Sequence, residues 1–460
     1  MTNVETSSPV TKQLADALGE IVSIDPAELD AARADKSGHV APGTPLAVVH
    51  ARTIADVQTT LRIATETRTP VVTRGAGTGL AGGANASTGE IVLSTAAMTA
   101  ILEIADDDEL AVVEPGIINA DLNAVLATKG LWFAPDPASR AISTVGGNIA
   151  TNAGGLLCVK YGVTRESVLG LKVVLADGRL IEVGHRTIKG VTGFDLTALM
   201  IGSEGLLGVI VEATLRLKRL DPSPISTIGA HFPSVEAAAR AAAVISSSGL
   251  RPAIMELIDK QAMTDIAAYL HLDVREEPYL LVQTDGPAAA LEADAALSII
   301  RSLGGDAELS TSPEEGARLL GIRRAFHPAE EARGTVLIED VCVPRSALPA
   351  MFAAIEQIGR KYELSIPTVA HAGDGNLHPN FVFEVDPTQE GGVPEKVWKA
   401  ADEMFVTALR LGGTLTGEHG VGILKKRWLG NELGSDQLEL QRQVKAVFDP
   451  LNLLNPGKVF

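Results

Sequence analysis

The sequence predicts an α+β protein in which a mixed domain precedes a second domain with a largely antiparallel sheet. Three observations lead to this fold class. From Pro45 to about residue 220, short Val- and Ile-rich runs alternate with helical segments, and glycine crowds the stretch from Gly75 to Gly208. Around Asp221 the chain becomes proline-broken and dotted with Gly and Ser, in DPSPISTIGA. Beyond it, alanine-rich helical segments alternate with further strand-like runs.

The elements of the first domain follow from the spacing of apolar residues. LADALGEIV and DPAELDAARAD predict one or two helices within the first 40 residues. LAVVHA and TPVVTR predict strands, and the amphipathic segment ADVQTTLRIATETR predicts a helix between them. These elements belong to an expected first domain of residues 1–220.

The elements of the second domain, expected over residues 221–430, begin after a linker at DPSPISTIGA. SVEAAARAAAVISSSG and AAALEADAALSIIRSLGG predict helices, whereas YLLVQTD and TVLIEDVCVP predict strands. A third segment, residues 431–460, ends in DPLNLLNPGKVF, and we expect it to pack back on the first domain.

Charge and composition exclude several classes of protein. The net charge is −18, with 57 acidic and 39 basic residues, which disfavours a nucleic-acid partner. No apolar run is long enough to span a bilayer, and the first residues lack a signal-peptide pattern. We therefore expect a cytoplasmic protein, compatible with peripheral membrane contact and with a homodimer. Cys158 and Cys342 are too few to ligate an iron–sulfur cluster, so any such cluster belongs to a partner.

The first glycine-rich loop reads PVVTRGAGTGLAGGA from Pro70. Gly77, Gly79 and Gly82 match the GxGxxG spacing, but the following NASTGEIVLST predicts turns and a strand where a Rossmann site requires a helix. A Rossmann fold is therefore disfavoured. The alternative is a nest of backbone N–H groups that binds a pyrophosphate, with Arg74 adding charge-assisted bonds. For this loop alone, an ordinary glycine-rich turn is equally compatible.

Two later stretches favour the nest. From Pro135 the chain reads PDPASRAISTVGGNIATNAGG, which offers few apolar anchors for a core and many hydrogen-bond donors. From Ile201 it reads IGSEGLLGVIVEATLRL, in which a glycine-rich turn runs into a β-rich segment. Three such loops together indicate one large polyphosphate cofactor.

These three stretches, in this order, resemble the FAD-binding domain of the vanillyl-alcohol oxidase / p-cresol methylhydroxylase (PCMH) type. The resemblance covers about residues 40–220. It implies FAD contacts from Arg74, Gly75, Ala76, Gly77, Thr78, Gly79, Pro135, Thr144, Gly147, Asn148, Thr151, Asn152, Gly155, Glu204, Gly205, Ile210 and Asn455. The first loop would hold the pyrophosphate, the second would follow the isoalloxazine and ribityl side, and the third would line the adenosine. Some members attach the flavin through a histidine of the first loop. Because no histidine lies between His50 and His185, FAD is expected to bind non-covalently.

A pair of histidines lies further along the chain, in VAHAGDGNLHPNFVF from Val369. GDGN is a turn signal between two strand-like runs. If the hairpin closes on these four residues, His371 faces His378, at a spacing that lets two imidazoles share one divalent metal. A solvated hairpin with two polar histidines is an equally compatible interpretation.

A second motif, TGEHGVG, places Glu418 and His419 between Gly417 and Gly420. Neighbouring residues of an extended loop point in different directions, so one can bind a metal while the other faces a substrate. An exposed acidic loop is the alternative.

HAGDGNLH, GEHG and the terminal NPGKVF together resemble the flavin-linked D-2-hydroxy-acid dehydrogenases, which include D-lactate dehydrogenases, the glycolate oxidase flavin subunit and D-2-hydroxyglutarate dehydrogenase. The resemblance implies that a divalent metal (zinc, with Fe²⁺ or Mn²⁺ as alternatives) is ligated by His371, His378 and Glu418. It also implies that Asn376 contacts the substrate, that His419 is the general base and that Arg323 meets the substrate carboxylate.

The reaction implied is oxidation of a small anionic D-2-hydroxy acid to the 2-oxo acid, with hydride transfer to flavin N5. D-2-hydroxyglutarate dehydrogenases carry an additional lysine in a strand where this chain has Ile338. That difference favours D-lactate or glycolate, although Lys425 offers a replacement cation.

The electron acceptor stays open between a quinone, a cytochrome, an electron-transfer flavoprotein and oxygen. The alternatives in function are a flavin subunit of a glycolate oxidase complex, a metal-dependent hydrolase with degenerate flavin loops, and a non-catalytic scaffold.

Overall fold

The structure is a computed structural model that describes residues 8–273, 275–389 and 392–460. These residues divide into two compact units. The first unit contains the described residues up to Gly154, together with Val163–Leu220 and Glu418–Phe460. The second unit contains Gly155–Gly162 and Asp221–Gly417.

The division differs from the expected domain limits at two places. Glu418 and the dozen residues after it, expected in the second domain, lie in the first unit. Gly155–Gly162 lies in the second unit, because Tyr161 donates a 2.6 Å hydrogen bond to Asp285 and Lys160 forms an ion pair with the same carboxylate.

The helices and strands have the following bounds. The helices are α1 (Pro9–Leu18), α2 (Pro26–Ala31), α3 (Ile54–Thr67), α4 (Asn119–Ala127), α5 (Val145–Thr151), α6 (Cys158–Tyr161), α7 (Leu196–Met200), α8 (Val235–Ser247), α9 (Lys260–Leu270), α10 (Ala289–Ser302), α11 (Pro313–Arg324), α12 (Phe326–Glu331), α13 (Leu348–Tyr362), α14 (Glu395–Arg410) and α15 (Leu429–Phe448). The strands are β1 (Val22–Ser23), β2 (Ala47–His50), β3 (Val71–Arg74), β4 (Ile91–Ser94), β5 (Ile101–Ala105), β6 (Leu110–Val113), β7 (Leu131–Trp132), β8 (Val168–Val174), β9 (Leu180–Gly184), β10 (Val209–Arg216), β11 (Lys218–Arg219), β12 (Ser226–His231), β13 (Ile254–Ile258), β14 (Tyr279–Thr284), β15 (Asp306–Ser310), β16 (Thr335–Ile338), β17 (Val341–Cys342), β18 (Thr368–His371) and β19 (Asn376–Phe383).

The first unit contains a small sheet in the order β1-β2-β4-β3, in which β2 and β3 run parallel to β4. The short runs AVVH, VVTR and IVLS form these strands because β-branched residues fit a buried parallel sheet. Helix α3 begins at a capping box between Thr53 and Asp56, which satisfies two free backbone N–H groups. Residues 75–90, between β3 and β4, contain no helix, which confirms that the glycine loop is not a Rossmann motif.

A second sheet of the first unit is antiparallel, in the order β5-β6-β10-β8-β9. One face of it packs against α4 and α5 through a core that includes Leu122, Phe133, Ile149 and Leu215. Residues 418–460, which include the C-terminal segment 431–460, belong to the same unit.

The second unit is built on an antiparallel sheet in the order β15-β12-β14-β13-β18-β19-β16, with β17 also paired to β19. The α+β fold class with a largely antiparallel second sheet is confirmed. The prediction that DPSPISTIGA is a linker is wrong for its second half. Residues Ser226–His231 form β12, a strand inside this sheet. Gly229, which suggested a flexible segment, instead leaves room for the ring of Tyr279 on the neighbouring strand.

No described helix is both long enough and apolar enough to cross a bilayer.

Candidate functional site

The histidine hairpin of the second unit is formed by β18 and β19, in a register that differs from the expected one. His371 pairs with Asn376, and Val369 pairs with His378, so the turn occupies residues 372–375. The prediction that His371 lies directly opposite His378 is therefore wrong. The two histidines are diagonal neighbours on one face, and their rings still meet edge to face with centroids 5.1 Å apart.

Both histidines are buried, with exposed fractions of 6% for His371 and 7% for His378. The interpretation as a solvated hairpin is therefore wrong. Glu256, on the adjacent strand β13, pairs with His371 across the sheet and is fully buried. The His371 Nδ1–H donates a 2.7 Å hydrogen bond to Glu256, which directs Nε2 away from the carboxylate. A carboxylate that fixes a histidine in this way is typical of the surroundings of a metal site.

Arg323 meets the other oxygen of the same carboxylate. Its Nε donates to Glu256 at 2.8 Å, and its side chain is 12% exposed at the end of α11. Glu256 therefore holds both a proposed metal ligand and the proposed carboxylate-binding arginine in one arrangement. The neighbouring Arg324 is exposed.

A second buried carboxylate, Asp340, holds the start of the TGEHG loop. It accepts a 2.5 Å hydrogen bond from the Thr416 hydroxyl and a 3.0 Å bond from the Gly417 N–H. One of its oxygens lies 3.9 Å from Nδ1 of His378. The segment TVLIEDVCVP, expected to be one strand, is interrupted at residues 339–340 between β16 and β17. That interruption allows the carboxylate to turn toward the loop.

Two asparagine side chains of β19 carry amide oxygens that are buried and have no hydrogen-bond partner among the described residues. They belong to Asn376, the predicted substrate contact, and to Asn380, which the sequence analysis missed. Buried acceptors without a protein partner are costly, so they fit a site that receives a polar ligand. Gly417 packs so closely on Asn376 that a side chain there would collide with the amide.

In the first unit, the glycine-rich loop offers its backbone as a binding surface. Within the described chain, none of the backbone N–H groups from Gly75 to Ala84 donates a hydrogen bond. Gly77 has a φ of +67°, a conformation that disfavours side chains. This row of unused donors fits the pyrophosphate of a dinucleotide.

Arg74 makes hydrogen bonds within the chain that the sequence analysis did not predict. Its guanidinium donates to the carbonyl oxygens of Ala84 at 2.9 Å and Ala34 at 2.8 Å. The bond to Ala84 links the start of the glycine loop to its end, and the expected contact of Arg74 with FAD stays a prediction.

The second stretch, expected to be a loop, contains the helix α5 over Val145–Thr151. Thr144 caps α5 by accepting a 3.2 Å hydrogen bond from the Gly147 N–H. Position 146 requires glycine because a side chain there would come within 2.5 Å of Pro115. Asn148 is buried and accepts a hydrogen bond from Asn119. The other residues predicted in this stretch make contacts within the chain. The Thr151 hydroxyl donates to the carbonyl of Gly147 in its own helix, and the Asn152 amide oxygen accepts from the Arg165 N–H. The carbonyl of Pro135 accepts from the Asn119 amide, and Gly155 lies in the second unit.

The third stretch contains a contact that the sequence analysis did not foresee. The carboxylate of Glu204, expected beside the adenosine, accepts hydrogen bonds from the backbone N–H groups of Val421 at 2.8 Å and Gly422 at 2.9 Å. Asn455 of the tail donates to the carbonyl oxygens of Gly83 and Glu204. The remaining residues predicted in this stretch are Gly205, with a φ of +76°, and Ile210, buried in β10.

The segment with Glu418 and His419 is thus held against all three stretches of the first unit. A side chain at Gly154 would lie 2.5 Å from a carboxylate oxygen of Glu418. The Ile423 N–H donates to the carbonyl of Ala81 at 2.8 Å. Lys425, the proposed replacement cation, follows in the same segment and is buried.

Comparisons with known families and proteins show the family to which the chain belongs. Residues 221–459 match the family described as FAD linked oxidases, C-terminal domain, and residues 45–184 match the FAD binding domain. A glycolate oxidase subunit GlcD of Bacillus subtilis is 40% identical over 90% of this chain and 89% of its own length. A D-lactate dehydrogenase of Archaeoglobus fulgidus is 36% identical over 96% of this chain and 98% of its own length.

Among solved structures, p-cresol methylhydroxylase with bound substrate covers 98% of this chain and 96% of its own, with a TM-score of 0.78 and 16% identity. An alkyldihydroxyacetonephosphate synthase covers 100% of this chain and 86% of its own, with a TM-score of 0.75 and 17% identity. At these identities the likeness shows the fold alone.

Proposed function

Because the chain belongs to the FAD-linked oxidases, we propose that it oxidises a small D-2-hydroxy acid to the corresponding 2-oxo acid. Two relatives named for glycolate and D-lactate, each matched over most of its length, support this substrate class. Membership of this family removes the hydrolase and the scaffold from consideration.

FAD supplies the hydride acceptor of the reaction. We propose that the unused N–H groups of Gly75–Gly79 hold its pyrophosphate, and that residues of α5 and of the Gly205 turn contact the rest of it. The absence of histidine between His50 and His185 supports non-covalent binding in the first loop.

The observation that carries the metal proposal is the buried Glu256–His371 hydrogen bond beside His378. A divalent ion, zinc or alternatively Fe²⁺ or Mn²⁺, would supply a Lewis acid for the substrate hydroxyl. His371 and His378 provide nitrogen ligands from the second unit, and the resemblance adds Glu418 as the third ligand.

The other proposed roles follow from the chemistry of each side chain. His419 takes the hydroxyl proton, since a neutral imidazole is matched to that task near pH 7. Arg323, oriented by Glu256, pairs with the substrate carboxylate. Asn376 turns a buried amide oxygen that has no hydrogen-bond partner among the described residues toward a polar ligand.

We propose D-lactate or glycolate over D-2-hydroxyglutarate as the substrate, because Ile338 brings no cation where the dicarboxylate enzymes have lysine. Lys425, which is buried, is the candidate for a replacement cation. A quinone, a cytochrome or an electron-transfer flavoprotein would reoxidise the flavin.

The test is an anaerobic titration of the flavin-loaded protein with D-lactate, glycolate and D-2-hydroxyglutarate. The flavin band near ~450 nm should bleach with one of the first two acids. Bleaching should slow strongly in His419→Ala and after treatment with a chelator. A flavin spectrum that none of the acids changes would reject the substrate class.

A second candidate is the flavin subunit of a glycolate oxidase complex, favoured by the match to a relative that is itself named a subunit. In that case the protein alone should reduce its flavin with glycolate but should transfer electrons to a soluble dye much faster when its partner subunits are added.

A further inference from the structure

Glu204 makes contacts that neither FAD binding nor proton transfer accounts for. Its two carboxylate oxygens accept one hydrogen bond each, from the N–H groups of Val421 and Gly422. These residues follow His419 at a distance of two and three positions. Two successive backbone donors form a concave anion site, and here a carboxylate of the chain itself fills it.

The backbone of Glu204 is fixed on both sides. Its N–H donates to the carbonyl of Ala150 in α5 at 2.9 Å, and its carbonyl accepts from the Asn455 amide at 2.8 Å. Its φ of +50° is unfavourable for a residue with a side chain and persists only where surrounding contacts enforce it. The carboxylate is therefore presented from a rigid base.

The segment that it holds is an irregular loop. Residues 418–423 form no helix or strand, and Gly420 and Gly422 have φ values of +86° and +50°. A side chain at Gly420 would come within 3.1 Å of the Glu204 carboxylate. The glycines thus let the chain wrap closely around one acidic group.

We propose that Glu204 is a positioning residue that fixes the Glu418–Gly422 loop, and with it His419, relative to the flavin-binding stretches of the first unit. Both of its carboxylate oxygens accept hydrogen bonds from this loop. The role of His419 as general base rests on the proposed function. The proposal that Glu204 fixes the position of the loop does not depend on it. Misplacing a catalytic group by about 1 Å can lower a rate about 10²-fold.

The experiment compares Glu204→Ala and Glu204→Gln with the full-length, flavin-loaded protein. Glutamine keeps one acceptor oxygen and turns its NH₂ group toward the second donor. It should therefore keep the hydrogen bond to one of the two backbone N–H groups, of Val421 or Gly422, and lose the other. Glu212→Gln is the matched control, since Glu212 lies in the same unit and forms an ion pair with Lys172 instead.

Peptide-resolved hydrogen exchange over residues 418–423 is the first readout. Loss of the charge-assisted bonds should speed exchange at Val421 and Gly422 about tenfold or more in Glu204→Ala, less in Glu204→Gln and not at all in the control. Anaerobic flavin reduction is the second readout, and its rate constant should fall about 10²-fold at an unchanged FAD dissociation constant.

Unchanged exchange in Glu204→Ala overturns the proposal, and so does faster exchange with an unchanged reduction rate. Weaker FAD binding without faster loop exchange would instead indicate that Glu204 contacts the adenosine part of FAD, and would overturn the proposal. If no hydroxy acid reduces the wild-type flavin, the proposed function fails, while hydrogen exchange still decides whether Glu204 holds the loop.

Discussion

Replacing Glu256 with glutamine should weaken metal binding and leave the fold intact. The buried carboxylate receives two donors, His371 Nδ1–H at 2.7 Å and Arg323 Nε–H at 2.8 Å. Glutamine offers one acceptor oxygen and one NH₂ group, so one of the two donors would face another donor. Arginine cannot lose its proton, whereas histidine can move its proton to the other ring nitrogen.

The magnitude follows from that proton shift. A histidine protonated on Nε2 cannot ligate a metal through that nitrogen. Loss of a carboxylate behind a metal-binding histidine costs about 10–100-fold in affinity, which is about 1.4–2.7 kcal/mol. Because Glu256 is fully buried and water cannot replace it, we expect the upper end of this range for Glu256→Gln.

The assay is a zinc titration against a competing chelating dye, with the bound metal measured by mass spectrometry. Glu315→Gln is the control, because Glu315 forms an exposed ion pair with Arg318 in the same unit. A zinc affinity within about twofold of wild type would refute the reasoning, since the 10–100-fold loss would be missing. The reasoning would also be refuted if the variant lost metal only because it unfolds at a lower temperature than the wild type.

Two further predictions concern stability. Lys445 and Asp449 form a buried ion pair at 2.8 Å, and Asp449→Asn would leave the ammonium uncompensated. We expect a loss of about 3–5 kcal/mol and a melting temperature about 6–20 °C lower by calorimetry; a shift below about 2 °C would contradict this. Burial and the nearby Asp265 raise the pKa of the Glu330 carboxyl to about 8, although the hydrogen bond from Arg333 by itself lowers that pKa. The folded chain therefore keeps a proton that the unfolded chain releases above about pH 4.3, so the free energy of unfolding should fall as pH rises from about 5 to 8. Glu330→Gln should flatten this dependence in urea titrations at pH 5 and pH 8, and an unaltered slope would count against the raised pKa.

Local sequence patterns predicted most of the fold. The strands β2, β3 and β14 are short β-branched runs, and α3 carries both an amphipathic pattern and a capping box, all of which are readable without knowledge of partners. The glycine loop between β3 and β4 was distinguished from a Rossmann motif because a strand follows it.

The errors arose where tertiary packing overrides composition. Glycines at 146 and 147 suggested a loop, yet both lie in α5, and Gly146 is there because it packs too closely on Pro115 for a side chain. Gly229 suggested a linker, yet it provides space for Tyr279 in a sheet. The hairpin register was shifted because GDGN is a strong turn signal, while the pairing of β18 with β13 and of β19 with β17 places the turn one residue earlier.

The sequence analysis found the histidines of the candidate site but none of the roles of the carboxylates that hold them. Glu256 lies 115 residues from His371, Asp340 lies 77 residues from Gly417, and Glu204 lies 217 residues from Val421. No local spacing relates residues so far apart, and a lone acidic residue in a strand or turn carries no signal of its own.

Two of these carboxylates share a feature that explains why they are acidic. Glu256 accepts hydrogen bonds on its two oxygens from a histidine and an arginine, and Glu204 accepts on its two oxygens from two N–H groups. Asp340 differs, because the Thr416 hydroxyl and the Gly417 N–H both donate to the same oxygen. An ionised carboxylate is an acceptor on both oxygens, whereas an amide of the same shape presents a donor on one side. Donors on both oxygens therefore select Glu over Gln at positions 256 and 204. The same argument predicts that the glutamine variant at each of these two positions disturbs the group that the carboxylate holds more than it disturbs the fold.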